Sequence, residues 1–293
     1  MRIIALQLNN DIRGLDEREA YIESLIAKID NPGIIVLPEL SQPSYIGNIE
    51  IWQYADIGGK RTSDWAIRMA RKYGTAICAG YLEAKDDNLF NAYLIADGNR
   101  VFGKVYKSEG ESFICKRGDF PNIIEAPFGN VAVGICYDSR RKHIYDSISD
   151  KLISLILFPH GSPTDPKKQN EEQATTNLIC GSYSTAFLVP VVYCNSVGAM
   201  GNMMGKTGAM MQKAGFALCG NTKIYGTSNH LEMPIPEAVG ADVDLVPNQR
   251  VGDIHFYGQD IVKGNALFRQ LILKPDIKAG MRYYEKNKHK VFM

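Results

Sequence analysis

An excess of charge of either sign is missing from this chain. Lys and Arg total 33 against 32 Asp and Glu, a formal net charge of +1, so no global field draws nucleic acid or an anionic membrane. Long apolar runs are also missing. None approaches the ~20 residues of a membrane-spanning helix, although 45% of the 293 residues are hydrophobic and can fill a large core. The opening Arg2-Ile3-Ile4-Ala5-Leu6 reads as a strand rather than a signal peptide, so the cytoplasm is the expected address. Cysteine is sparse and scattered. The six, Cys78, Cys115, Cys136, Cys180, Cys194 and Cys219, form no Cys-x-x-Cys pair, which argues against zinc, redox chemistry and a disulfide framework. The five histidines have no metal-ligand spacing, and neither metal nor cofactor is expected.

What is present is an alternation of buried strands and amphipathic helices. Residues 2–8 are strand-like, 16–29 have helical spacing and 33–37 form a buried strand, a βαβ rhythm. The pattern predicts a helix over 63–73 capped by Thr62 or Ser63, then a strand over 76–82. Residues 91–96 and 100–106 flank Asp97-Gly98-Asn99, a hairpin signal in which glycine supplies a positive φ. The second half repeats the order: strand 131–136, a helix from Arg141, strand 152–158, helix 171–186, strand 188–194, and a hairpin around Lys213-Ala214-Gly215. Near-continuous apolar strands need cover on both faces, so the expected class is α/β, with two similar halves that each place a sheet under helices. Residues 220–239 read as loop, and no core element is visible after Val251. The domain is therefore expected over 1–250, with 251–293 an extension packed on it or on a partner subunit.

Three strand-like segments stop abruptly at a reactive group. Val131 to Ile135 ends at Cys136 and turns polar at Asp138; Ile34 to Pro38 ends at Glu39; Gly103 to Tyr106 ends at Lys107. A carboxylate can accept a thiol proton, the thiolate can attack a carbonyl carbon, and an ammonium can stabilise the oxyanion. Each residue also has an ordinary reading: a buried strand cysteine, a solvated strand-end carboxylate, a hairpin-end lysine exposed to water; and Lys104 competes with Lys107 for the amine's role. A helix starting near Ser139 or Arg140 would aim N–H groups at the thiol and lower its pKa. His160 closes the strand expected beside that of Cys136, so a Cys–His dyad is physically open as well.

Leu37-Pro38-Glu39, then Gly103 to Lys107 with Gly110-Glu111-Ser112-Phe113, then Gly134-Ile135-Cys136-Tyr137-Asp138-Ser139-Arg140 stand in the order of three motifs of the nitrilase superfamily of carbon–nitrogen hydrolases. The chain resembles that family to about Asp244. The resemblance implies a four-layer α-β-β-α sandwich with two pseudo-symmetric halves. It implies Glu39 as base, Cys136 as nucleophile and Lys107 rather than Lys104 as the oxyanion amine. Glu111 would hold the lysine and substrate, with Glu109 close enough to compete, and the Tyr137 N–H would assist the oxyanion. It favours glutamate over His160 as the base and puts His160 at the substrate, where Tyr137 and, from the loop 41–49, Tyr45 are also expected.

This sequence departs from the family at Arg141-Lys142-His143, where Phe-Pro-Glu is common, and at Gly181-Ser182-Tyr183-Ser184, where Arg-Ala is often found. Tyr137-Asp138 replaces the Trp-Glu of many nitrilases, which favours amides. The expected function is hydrolysis of a C–N bond in a small amide or N-carbamoyl compound through a cysteine thioester. Acyl transfer, nitrile hydrolysis and a non-catalytic scaffold are the alternatives. A homodimer or larger even-numbered homo-oligomer is expected, with the basic, aromatic stretch 282–293 either at its interface or solvated.

Overall fold

The computed structural model describes residues 1–119 and 122–292; Phe120, Pro121 and Met293, inside the expected domain and extension, lie outside the described residues. The first half runs β1 (Arg2–Leu6), α1 (Leu15–Ile26), β2 (Ile34–Val36), β3 (Asp56–Ile57), α2 (Lys60–Tyr73), β4 (Ala76–Lys85), β5 (Asn88–Ala96) and β6 (Val101–Tyr106). The second runs β7 (Ile123–Ala126), β8 (Gly129–Val133), α3 (Lys142–Ile148), β9 (Leu155–His160), β10 (Pro163–Thr164), α4 (Gln169–Phe187) and β11 (Val191–Asn195). Then follow β12 (Val197–Ala199), α5 (Gly205–Lys213), β13 (Ala217–Cys219), β14 (Lys223–Tyr225), β15 (His230–Leu231), β16 (Ala238–Asp242) and α6 (Lys274–Asn287).

The larger sheet has the order β15-β16-β1-β2-β4-β5-β6 with β3 on β4, and the second has the order β14-β11-β9-β8-β7. Each is built on three parallel strands, β1-β2-β4 and β8-β9-β11, flanked by antiparallel ones. Side chains alternate across each strand. Ile3, Ala5, Ile34 and Val36 therefore meet Val133, Leu155, Leu157 and Val192 between the sheets. On the outer faces Ile4 and Ile35 meet Ile22 and Ile26 of α1 and Trp65 and Met69 of α2, while Ala132 and Ile156 meet Ile144 of α3 and Ile179 and Tyr183 of α4. These contacts make the α-β-β-α sandwich. Among the described residues no helix is long and apolar enough to cross a membrane.

Several elements differ from the sequence pattern. Helix α2 starts at Lys60 because the Asp56 carboxylate accepts the N–H groups of Arg61 and Thr62 at 3.1 and 2.7 Å, a cap supplied from β3. The hairpin at 97–99 forms, but Gly98 has no positive φ. The Asp97 side chain accepts the N–H groups of Asn99 and Arg100, and Gly98 is needed because a Cβ there would lie 3.0 Å from the Arg71 Cα. The expected hairpin at 213–215 is instead preceded by helix α5, whose first N–H groups, from Lys206 and Thr207, are accepted by Asp276 of α6 at 2.8 Å each. Within the stretch read as loop, β14 and β15 form, and β16 starts there and pairs antiparallel with β1. Beyond Val251, Ile254 and Ile261 are buried in the cluster with α3 and α4. Tyr284 is 2% exposed, so the tail is not a solvated extension.

Candidate active site

Strand β2 delivers Leu37-Pro38-Glu39 to the C-terminal edge of the larger sheet, where β4 presses on it. A Cβ on Gly80 would lie 2.5 Å from the Leu40 nitrogen and 2.8 Å from the Pro38 oxygen, so only glycine lets β4 approach the Glu39 backbone. The Glu39 side chain is buried and gathers three donors. Its Oε1 accepts from Lys107 Nζ at 2.6 Å and Asn91 Nδ2 at 2.7 Å, and its Oε2 from the Gly161 N–H at 2.7 Å. Lys107, just past β6, bonds Glu111 Oε1 at 2.6 Å as well, and the Tyr45 phenol donates to the same oxygen at 3.1 Å. Strand parity separates the two lysines. Lys104 lies on the other face of β6 and pairs with Glu83 at 2.5 Å. Glu109 is held by Arg117 and Arg141 instead of Lys107.

Cys136 follows β8 with a φ of 52°, in the left-handed region that a non-glycine residue seldom occupies. It opens a 3-10 turn, Cys136–Arg140, and the helix expected near Ser139 or Arg140 begins only at Lys142, after the extended Arg141. Burial, reinforced by the charge of Glu39 and opposed by Lys107, pushes the thiol up to about 12. The expected depression is thus reversed: desolvation outweighs the nearby ammonium, and the resting sulfur is protonated.

A hydrogen-bond ring fixes the surroundings of that sulfur. Ser139 Oγ donates to the Cys136 carbonyl at 2.7 Å and so accepts from His160 Nε2 at 3.2 Å. With its proton on Nε2, His160 accepts at Nδ1 from Ser162 Oγ at 3.0 Å, which leaves the Ser162 oxygen facing Cys136 Sγ at 3.6 Å as an acceptor for S–H. The ring ends on a carbonyl, which cannot take up the thiol proton. Burial and the charges of Lys107 and Arg140 push His160 down to about 3, and its ring lies 4.4 Å from that of Tyr193. His160 therefore orients the site and is not poised as its base.

The carboxylates are driven apart. Burial raises Glu39 despite the Lys107 charge. Burial works against the charged form of Glu111 too, but the Lys107 charge and hydrogen bond hold it below its ordinary value. Lys107, which burial alone would depress, is held well above its ordinary value by the charges of Glu111 and Glu39. The cluster thus offers a proton-acceptor carboxylate, a permanent carboxylate and a fixed ammonium beside a neutral thiol.

All the sequence candidates except Glu39 line one cavity of about 840 Å³: Tyr45, Lys107, Glu111, Cys136, Tyr137 and His160. Glu39 lies just behind it. Tyr137 is half exposed, and its phenol donates to Asp260 at 3.2 Å. The sequence reading missed Asn91, Gly161, Ser162 and Asp138. Buried Asp138 accepts the N–H groups of Ser108 and Glu109 at 2.9 and 2.8 Å and so pins the loop between Lys107 and Glu111. Asn91 stands as a lone amide at the start of an apolar strand run, a signal that could have been used; the Glu39 to Gly161 contact has no sequence signal. Among the described residues no group of three or more His, Cys, Asp or Glu is arranged to hold a metal.

A sequence model of the family described as carbon-nitrogen hydrolase matches residues 9–230. A probable nitrilase of Schizosaccharomyces pombe is 29% identical over 134 residues, 43% of this chain and 49% of that protein. The match thus spans about half the length of that relative. A carbon-nitrogen hydrolase from Helicobacter pylori G27 superposes with a TM-score of 0.67 at 16% identity, over 84% of this chain and 89% of that one. An amidase from Nesterenkonia sp. does so with a TM-score of 0.59 at 15% identity, over 83% of this chain and 90% of its own. At these identities the likeness to the solved structures is one of fold.

Proposed function

Because the chain belongs to the carbon-nitrogen hydrolase family, we propose that it hydrolyses the C–N bond of a small amide or N-carbamoyl compound through a thioester on Cys136, releasing ammonia or an amine. The observation that carries this reading is the buried Lys107 clamped between Glu39 and Glu111 beside the thiol. As Sγ attacks the carbonyl carbon, Glu39 takes the thiol proton. The Lys107 ammonium and the Tyr137 N–H hold the oxyanion, an interaction worth about 3–4 kcal/mol per donor in a dry site. Glu39 then passes its proton to the nitrogen as the C–N bond breaks. In the second half-reaction Glu39 deprotonates a water that attacks the thioester. Collapse of that intermediate releases the acid, and the proton returns to sulfur. The upward shift of Glu39 suits a group that must hold a proton between steps, and the downward shift of Glu111 keeps it an anion that fixes Lys107.

Nitrile hydrolysis is the second reading, favoured by the name of the fission-yeast relative; Tyr137-Asp138 weighs toward amides. Ammonia release from matched amides, N-carbamoyl compounds and nitriles, with Cys136→Ala as control, tests both. Release from amides or carbamoyl compounds that the variant abolishes supports the proposal. Release from nitriles alone replaces it with the second reading, and no Cys136-dependent release from any class overturns both.

A further inference from the structure

We infer that Glu172 selects substrates carrying a cationic group, an ammonium or guanidinium, at the end remote from the scissile bond; this rests on the hydrolase reading above. Glu172 lies in the first turn of α4, and Glu172, Thr176 and Ile179, spaced along one face of the helix, line the same cavity as Cys136. Thr176, one turn on, lines that cavity together with Tyr193, whose ring stands against His160 at 4.4 Å. His160 reaches the thiol through Ser162. Glu172 therefore stands about one helical turn beyond the wall that meets the nucleophile.

Its chemistry differs from that of the other acids lining the cavity. Glu111 is bound by Lys107, Glu109 by Arg117 and Arg141, and Asp260 by Arg140 and Arg141. Asp276 accepts two backbone N–H groups. Among the described residues Glu172 alone of these has no hydrogen bond or ion pair; it feels Arg140 only through space, and Arg140 is already bonded to Asp260. Burial works against its charge. Stabilisation by the α4 dipole accounts for an acid in a first turn, but neighbouring Glu171, exposed and paired with Lys168, serves that purpose without facing the cavity. A partly desolvated carboxylate without a partner is unfavourable until a donor cation arrives, and an incoming ammonium or guanidinium completes it. The cations around the mouth, Lys263, Arg269 and Lys274, are exposed and screened by solvent.

The test is a series of amides of equal chain length ending in an ammonium, a hydroxyl or a carboxylate. The expected kcat/KM is about tenfold or more higher for the ammonium member than for the hydroxyl member, the scale of a hydrogen bond to a charged group. Glu172→Gln should collapse that ratio, and Glu172→Lys should turn the preference toward the carboxylate. A wild type that prefers the hydroxyl or carboxylate member, or an ammonium preference that survives in Glu172→Gln, overturns the inference while Cys136-dependent turnover leaves the hydrolase reading standing. If no member is hydrolysed, the amide form of the hydrolase reading falls. Calorimetry of Cys136→Ala with the ammonium amide then decides separately: binding weakened about tenfold or more by adding Glu172→Gln supports the inference, and equal or absent binding overturns it.

Discussion

Replacing Glu39 by Gln separates the base from the scaffold, because the side chain keeps its volume and loses only charge and one acceptor. Oε1 serves Lys107 and Asn91, and Oε2 serves the Gly161 N–H. A glutamine carbonyl on the Oε1 side retains the first two bonds, but its NH2 then meets the Gly161 N–H, donor against donor. That lost bond costs about 1–3 kcal/mol of folding stability. Lys107 is not stranded, since Glu111 remains at 2.6 Å, so the larger loss of about 3–5 kcal/mol for an isolated buried charge does not apply. Turnover falls much further. With the thiol held near 12 and no carboxylate to receive its proton, the loss of a general base lowers kcat by about 10²–10⁴-fold. Ammonia-release kinetics and urea denaturation on the same preparation read the two effects. A variant that keeps more than about a tenth of wild-type turnover would refute the assignment of Glu39 as base.

Other perturbations have equally definite signs. Since burial raises Glu39 and its ionised form is the base, kcat/KM should fall as pH drops through a value above 4.5; Lys107 is held well above its usual value and adds no alkaline limb near neutrality, and His160, near 3, adds none near 6.5. An acid limb at or below 4.5 in the pH–rate profile would contradict this. Burial raises Asp138 to about 7 from 3.8, so the stability it contributes is fully present below 3.8 and lost as pH rises through about 7. Urea unfolding at about pH 4 and about pH 8 should show a decline on the order of 4 kcal/mol that Asp138→Asn flattens. Gly80→Ala should lower turnover by about a hundredfold by displacing the Glu39 backbone; near-normal kcat in a folded variant would show that the site tolerates the shift. Tyr284 packs edge-on against Trp52 and accepts the Leu89 N–H at 2.7 Å. Tyr284→Ala should cost about 3–5 kcal/mol in urea denaturation, and a loss below about 1 kcal/mol would contradict the packing of the tail.

The βαβ rhythm was legible because buried parallel strands and amphipathic helices have different hydrophobic periods, and the strands that carry Glu39, Lys107 and Cys136 each end where an apolar run ends. Local pattern failed where a remote group sets the backbone. Asp276 caps α5 from about 70 residues away in the chain, and β16 forms by pairing with β1. No window of neighbouring residues contains these partners.

The sequence alone determined which groups are available: a thiol, a carboxylate and an amine at the ends of buried strands, and a second carboxylate in the loop after the amine, on a frame of two sheets. Only the tertiary structure decided how they act. Strand parity sent Lys104 to Glu83 and Lys107 to Glu39 and Glu111, and burial reversed the expected shift of the Cys136 thiol. Burial and the charges of Lys107 and Arg140 held His160 neutral, while Ser139 and Ser162 fixed its ring. Residue order fixes chemical identity, whereas desolvation and hydrogen-bond partnership depend on distances between segments far apart in the chain, which exist only once the two sheets have packed together.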